Sequence, residues 1–185
     1  EKMLRNSPLL EAYKSKDIEV LIMDDEIDEI VAPMIGSYKE TELKAVNKSG
    51  AMDDLKTEED EKKETEIKPL LEKIKTALGD AVKDVVASSR LHESPSCVVV
   101  DENDPTAQMQ QMLRQMGQTE MPEVKPILEI NPDHEIVKKL EATSDESLIA
   151  DTSLLLLDQA LMVEGVALKD PAEFAKRLNR VMSKA

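Results

Sequence analysis

Residues 145–164 read DESLIADTSLLLLDQALMVE. The spacing predicts one long helix from about Asp145 to Glu164. Ala150, Leu154, Leu157 and Leu161 form one apolar stripe, and Leu148, Thr152, Leu155 and Met162 form a second. With Leu154 to Leu157 in an unbroken run, the helix is apolar nearly all round, so two of its faces must be covered. One face can pack on its own domain while the other takes a partner. A second helix follows at Asp170-Pro171, with Glu173 at the capping-box position. It carries Phe174, Leu178, Val181 and Met182 at i, i+4, i+7 and i+8. Two such helices per chain would build a four-helix bundle across a two-fold axis. The alternative is that both faces are satisfied within one protomer.

Working back toward the N-terminus, Asn131-Pro132 should start a helix carrying Ile136, Val137 and Leu140. Val124 to Ile130 reads as a strand, with Pro126 suggesting a sheet edge. Val82 to Ser88 and Cys97 to Val100 read as two more strands. Before them, Ile67, Leu70, Leu71, Ile74 and Leu78 mark an amphipathic helix that Gly79 stops. The expected class is α+β: a small three-stranded sheet with helices, then a helical C-terminal tail.

Residues 7–48 read as helix, strand, helix, strand. Ser7-Pro8 caps the first helix. Ile18 to Met23 is an apolar, β-branched run and reads as a strand. Ile27, Ile30, Val31 and Met34 share a helical face, with Pro33 straining or ending that helix. Glu42 to Val46 reads as a short strand. The block is too small to bury a full core alone and resembles the tail of a larger α/β unit. From Asp53 to Glu66, eight acids face three lysines, a local charge of −5, which suits a solvated helix face or a linker.

Composition bounds the function. The 185 residues carry a formal charge of −15, 41% hydrophobic side chains and 2% aromatics. That is too apolar for a disordered acidic chain, and no apolar run approaches a membrane span. The charge disfavours phosphate-backbone binding, and the scarcity of aromatics disfavours base stacking. Neither nucleic acid nor membrane is an expected partner. The sequence opens with Glu-Lys-Met-Leu-Arg-Asn, followed by no signal-peptide core, and reads as a fragment.

No catalytic constellation stands out. There is no Gly-rich phosphate loop, no Walker motif and no GxSxG. His92 and His134 are the only histidines, neither at zinc-site spacing, and His134 suits a helix cap. The single Cys97 leads Val98-Val99-Val100 and reads as a buried structural thiol. A thiol enzyme would need Cys97 exposed, acidified and close to a His. The expected catalytic, cofactor and metal residues are none.

The second informative stretch is the helix expected over 104–117. Met109, Met112, Leu113 and Met116 form an i, i+3, i+4, i+7 stripe among glutamines at 108, 110, 111, 115 and 118. Methionine re-packs easily and suits loose recognition of many apolar partners. The plainer reading is a helix packed on its own core.

These residues together resemble the C-terminal part of the heat-shock protein 90 chaperones, in their bacterial form. The resemblance rests on Ile18-Glu19-Val20-Leu21 with Asp24 to Glu29; on Val82-Lys83-Asp84-Val85 with Ser89-Arg90-Leu91; and on Ser94-Pro95-Ser96-Cys97. It continues through Ile130 to His134, Leu155 to Leu161, and Asp170-Pro171 with Phe174. It implies that residues 1–50 end a middle domain, that 51–66 is an acidic junction, and that 67–185 is a C-terminal dimerisation domain.

The resemblance further implies a homodimer held by the last two helices, through Leu154, Leu155, Leu157, Leu161, Met162, Phe174, Leu178, Val181 and Met182. It implies contact with unfolded or partly folded client proteins through Met109, Met112, Leu113 and Met116, with Ile30 and Met34 beside them. Pro105 stands where the bacterial relative has an apolar residue. Ile30 and Pro33 stand where the family carries a Trp and a polar residue. ATP and Mg²⁺ belong to family domains outside this stretch, so this fragment should not itself be an enzyme. The chain ends Met-Ser-Lys-Ala rather than on the acidic tail that docks eukaryotic co-chaperones, which implies a cytoplasmic, bacterial-type, stress-response member. The rival from another class is a plain oligomerisation or scaffold module with its Met-rich helix buried.

Overall fold

In the computed structural model, residues 2–25, 27–117 and 124–184 are described, the side chains of 2, 3, 29, 107 and 111 excepted. Glu26 and Gln118, which the sequence reading used, lie outside them. The described elements run α1 Lys2–Arg5, α2 Glu11–Ser15, α3 Asp28–Ile35, β1 Ser37–Tyr38, β2 Thr41–Glu42, α4 Glu58–Leu78, β3 Asp84–Ala87, β4 Ser96–Val99, α5 Ala107–Gln115, β5 Ile127–Ile130, α6 Glu135–Ala142, α7 Glu146–Val163 and α8 Pro171–Met182. The α+β class holds.

The three-stranded sheet has the order β3-β5-β4. β5 runs parallel to β3 and antiparallel to β4, pairing Val85 with Leu128 and Val98 with Leu128. Every residue of β4 and β5 is buried, so the sheet is covered on both faces. On one face Val85, Val98, Leu128 and Ile130 meet Ile67, Leu70, Ile74 and Leu78 of α4, Val137 and Leu140 of α6, and Ile149, Leu156, Leu157 and Ala160 of α7. On the other, Cys97, Val99 and Ile127 meet Leu91 and Leu9.

Sequence signals explain most boundaries. Thr57 and Asp60 form a reciprocal capping box at the start of α4: the Thr57 N–H donates to Asp60 Oδ2 (2.8 Å), and the Asp60 N–H to Thr57 Oγ1 (3.3 Å). Four acids in the first turn suit the positive helix end. The acidic run from Glu58 to Glu66 is therefore the solvated opening of a 21-residue helix. Pro69 lies on that helix's exposed side. Gly79 ends it at φ 52°, a conformation glycine tolerates best.

Five expectations are corrected. Ile18 to Met23 forms no ladder; the Ile18 N–H donates back to Tyr13 O (2.9 Å) and Leu21 is 69% exposed, so an extended run is left without a strand to pair with among the described residues. Of Glu42 to Val46 only Glu42 is strand, in the β1–β2 hairpin. β5 is central rather than an edge: Pro126 precedes the first ladder residue, so its missing N–H is not needed there, while its carbonyl accepts from Lys83 N–H (2.8 Å). α5 begins at Thr106, whose Oγ1 accepts from Met109 N–H (3.0 Å), because Asp104 is drawn into an ion pair with Lys83 (3.2 Å). α6 begins at His134 rather than Asn131. Asn131 is spent earlier, donating from Nδ2 to Ser94 O (3.0 Å) and accepting from Asp133 N–H (3.0 Å).

Residues 9–13 and 46–51 are stapled to the second face. The Glu11 carboxylate accepts backbone N–H bonds from His92 (2.6 Å), Glu93 (2.8 Å) and Ser94 (3.2 Å). Burial opposes its charge, yet the Ser94 hydroxyl and these three donors hold its carboxyl below the usual range. Tyr13 OH donates to Ala51 O (3.3 Å), and Lys48 bridges Val100 beside β4.

Candidate functional site

Among the described residues, three exposed apolar surfaces hold the binding residues that the sequence singled out. The first is α5. Met109, Met112 and Leu113 are half-buried, Met116 is 70% exposed, and none of the four belongs to a buried core cluster. α5 is positioned from its base: Lys83 pairs with Asp101 (2.9 Å) and Asp104, and Lys48 Nζ donates to the carbonyls of Glu102 (3.1 Å) and Asp101 (3.3 Å). A stiff base carrying a polar helix with one apolar stripe can offer that stripe to a partner.

The second is α3. Ile30 is 38% and Met34 81% exposed, with Ile27, Val31 and Ile35 also exposed. Pro33 sits inside the helix, which continues to Ile35 before Gly36 caps it. α3 and α5 are separate elements on separate chain segments, and the described packing does not merge them into one site.

The third is the α7–α8 hairpin. Leu155 and Leu157 are buried within the protomer, Leu157 in the main core. They support the surface from beneath and have little area of their own to offer. Leu154 and Leu161 are half-buried against the same core. Phe174 and Val181 are half-buried, while Met162, Leu178 and Met182 are exposed. No residue of α8 is buried. Ion pairs hold α8 in place: Arg177 to Asp158 (3.0 Å), Arg180 bidentate to Asp151 (2.8 and 2.7 Å), and Lys184 to Asp145 (2.8 Å). The Arg180 guanidinium holds the Asp151 carboxyl below its usual range, and Lys184 does the same for Asp145.

The thiol-enzyme reading fails on geometry. Cys97 is 3% exposed, and burial, then the Glu129 carboxylate, push its thiol well above the ordinary value. His92 Nε2 is engaged with Ser15 Oγ (3.0 Å), and His134 Nδ1 accepts from Ile136 N–H (3.1 Å) as the α6 cap. Among the described residues no three His, Cys, Asp or Glu converge as a metal site, and no helix is long and apolar enough to cross a membrane.

Sequence reasoning missed the buried pair at the centre of the second face. Arg90, 1% exposed, donates from Nε to Glu129 Oε2 (3.0 Å) and from Nη2 to Lys48 O (3.2 Å), and also bonds Val46 O. Ser88 Oγ donates to the same carboxylate oxygen (2.7 Å). The available signal was Glu129 itself, a charge inside the apolar strand Ile127-Leu128-Glu129-Ile130.

A sequence profile of the family described as Hsp90 protein matches residues 1–185. The chaperone protein HtpG of Treponema denticola is 56% identical over 187 residues, covering 99% of this chain and 29% of that protein. Its counterpart in a Sulfurovum species is 57% identical and covers 100% of this chain and 30% of its own. That of Aliarcobacter butzleri is 58% identical, covering 100% and 29%. The chain thus spans less than a third of the length of these relatives.

Proposed function

Because the chain belongs to the Hsp90 protein family, we propose that it is the dimerisation and client-contact part of a bacterial, cytoplasmic, ATP-dependent chaperone. Under this reading residues 1–50 close a middle domain, 51–66 is the junction, and 67–185 is the dimerisation domain. α7 and α8 form the homodimer through Leu154, Leu161, Met162, Phe174, Leu178, Val181 and Met182. α5 meets unfolded clients through Met109, Met112, Leu113 and Met116, with Ile30 and Met34 of α3 as a second contact. Under this reading ATP and Mg²⁺ belong to the rest of the whole protein, since the chain spans less than a third of its relatives' length.

One observation carries the proposal. Two amphipathic helices, α5 and α8, contribute no residue to the buried core clusters, although both have complete apolar stripes. An apolar stripe left only partly covered implies a partner surface. α8 fits a second copy, because it lies beside α7, the helix whose other side is already in the core. α5 fits changing partners, because three of its four stripe residues are methionine.

Two measurements test this. Sedimentation should show the chain as a dimer at micromolar concentration, and L178D with M182D as a monomer that keeps its helical circular dichroism; a monomeric parent chain would overturn the dimer. Replacing Met109, Met112 and Leu113 by Gln should abolish suppression of client aggregation without changing the dimer. Unchanged suppression would leave the scaffold reading in its place.

A further inference from the structure

The methionines of this chain are placed unlike its other apolar residues. Eight have described side chains, and of these only Met52 is in a core, at 3% exposure. Met34 is 81% and Met116 70% exposed, while Met109 and Met112 are half-buried on the same face of α5 as Met116. Leucine and isoleucine, by contrast, make up most of the buried clusters. A thioether differs from a leucine side chain in one chemical respect: its sulfur carries a reactive lone pair. The one thiol that would compete for an oxidant is out of reach, since Cys97 lies buried under Leu9 and Leu91.

We propose that Met116 and Met34 are reversible oxidation sites, and that their conversion to methionine sulfoxide switches off the client-contact surface of α5 and α3. The oxidant class is a peroxide. The sulfur lone pair attacks one peroxide oxygen, the O–O bond breaks, an S–O bond forms and water leaves after proton transfer. Sulfur loses two electrons and the peroxide gains them. The product replaces an apolar, polarizable tip with a polar S=O group, which no longer favours burial against an apolar client. Solvent access sets the order: Met34 and Met116 react first, Met109 and Met112 later, Met52 last. Met162 and Met182 stand on the face assigned to a second copy and play no part in the switch.

The inference rests on the proposed client role, and the test separates the two. The chain is treated with hydrogen peroxide and the methionines are mapped by mass spectrometry. Binding of fluorescent β-casein, an unfolded protein, is measured before and after, and again after methionine sulfoxide reductase. Oxidation should reach Met34 and Met116 before Met52, weaken casein binding about tenfold, and be reversed by the reductase. M34L/M116L, compared with itself before treatment, should keep its casein binding after peroxide. If M116Q weakens casein binding but full oxidation of Met34 and Met116 does not, the switch is wrong while the client reading stands. If Met52 oxidises as fast as Met116, the switch is also wrong. If M116Q and oxidation both leave casein binding unchanged, the client surface itself is misplaced and the switch falls with it.

Discussion

Burying Arg90 demands partners for its donors. Three of its nitrogens find them: one on Glu129 and two on the carbonyls of Val46 and Lys48. R90M should therefore destabilise the chain by about 3–5 kcal/mol, chiefly by leaving Glu129 charged and buried without its cation. R90M/E129L, which removes both charges, should recover much of that loss, and urea unfolding of the three variants measures it. Glu164, at the end of α7, is the opposite case. Burial alone pushes its carboxyl from 4.5 up to about 7. A raised carboxyl binds its proton more tightly folded than unfolded. Its penalty is absent below about pH 4.5, grows as pH rises, and is complete above about 7. E164Q should thus be more stable than the parent at pH 8, by about 2–3 kcal/mol, and indistinguishable from it at pH 4. Equal parent and variant stabilities at pH 8 would show that water reaches the carboxylate.

Elements that are set by local chemistry were legible in the sequence, and α4 shows why. Its stripe, its stop at Gly79 and its acidic opening need no knowledge of the rest of the chain. T57A removes the acceptor for the Asp60 N–H and should cost about 1 kcal/mol, read as a fall in urea midpoint at unchanged slope. Elements that depend on a distant partner were not legible. Ile18 to Met23 has strand composition, yet a strand needs a neighbour; Pro126 looks like an edge until Lys83 takes its carbonyl. The α7–α8 hairpin mixes both kinds. Its apolar stripes could be counted, but the pairing of Arg177, Arg180 and Lys184 with Asp158, Asp151 and Asp145 needs the fold. Asp151 and Asp145 sit below the ordinary carboxylate value of 3.8, so their pairs contribute fully above it and are lost as pH falls further. Acid should loosen α8 before the sheet opens. Hydrogen exchange at pH 3 should show faster exchange in 171–182 than in 127–130, and D151N should carry that loosening up to neutral pH.

At the scale of the whole molecule, α5 and the α7–α8 hairpin stand out by stripe and spacing and α3 only through the family resemblance, but which stripe residues face outward was not legible. Leu155 and Leu157 look like Leu154 and Leu161 in sequence; only the placement of β4 and α4 around α7 separates them. The same holds for the junction. The resemblance implies a division of the chain near residue 50, yet contacts cross that point: Leu9 lies against Leu91, Cys97, Val99 and Ile127, Glu11 caps the 92–94 loop, and Arg90 grips two carbonyls before residue 50. These contacts bring buried apolar side chains together with charge-assisted hydrogen bonds, so opening them should need most of the free energy of unfolding. Cys97 faces this interface and is closed to solvent, which makes its labelling rate a direct reading of how often residues 7–55 lift away. With a thiol reagent in excess, the rate should rise with urea as steeply as global unfolding does. L9A opens a cavity beside Cys97 and should cost about 2–4 kcal/mol, accelerating labelling roughly 30-fold or more at constant pH. A shallow urea dependence in the parent chain would instead mean that the N-terminal segment detaches by itself. The division near residue 50 would then be a hinge rather than a seam.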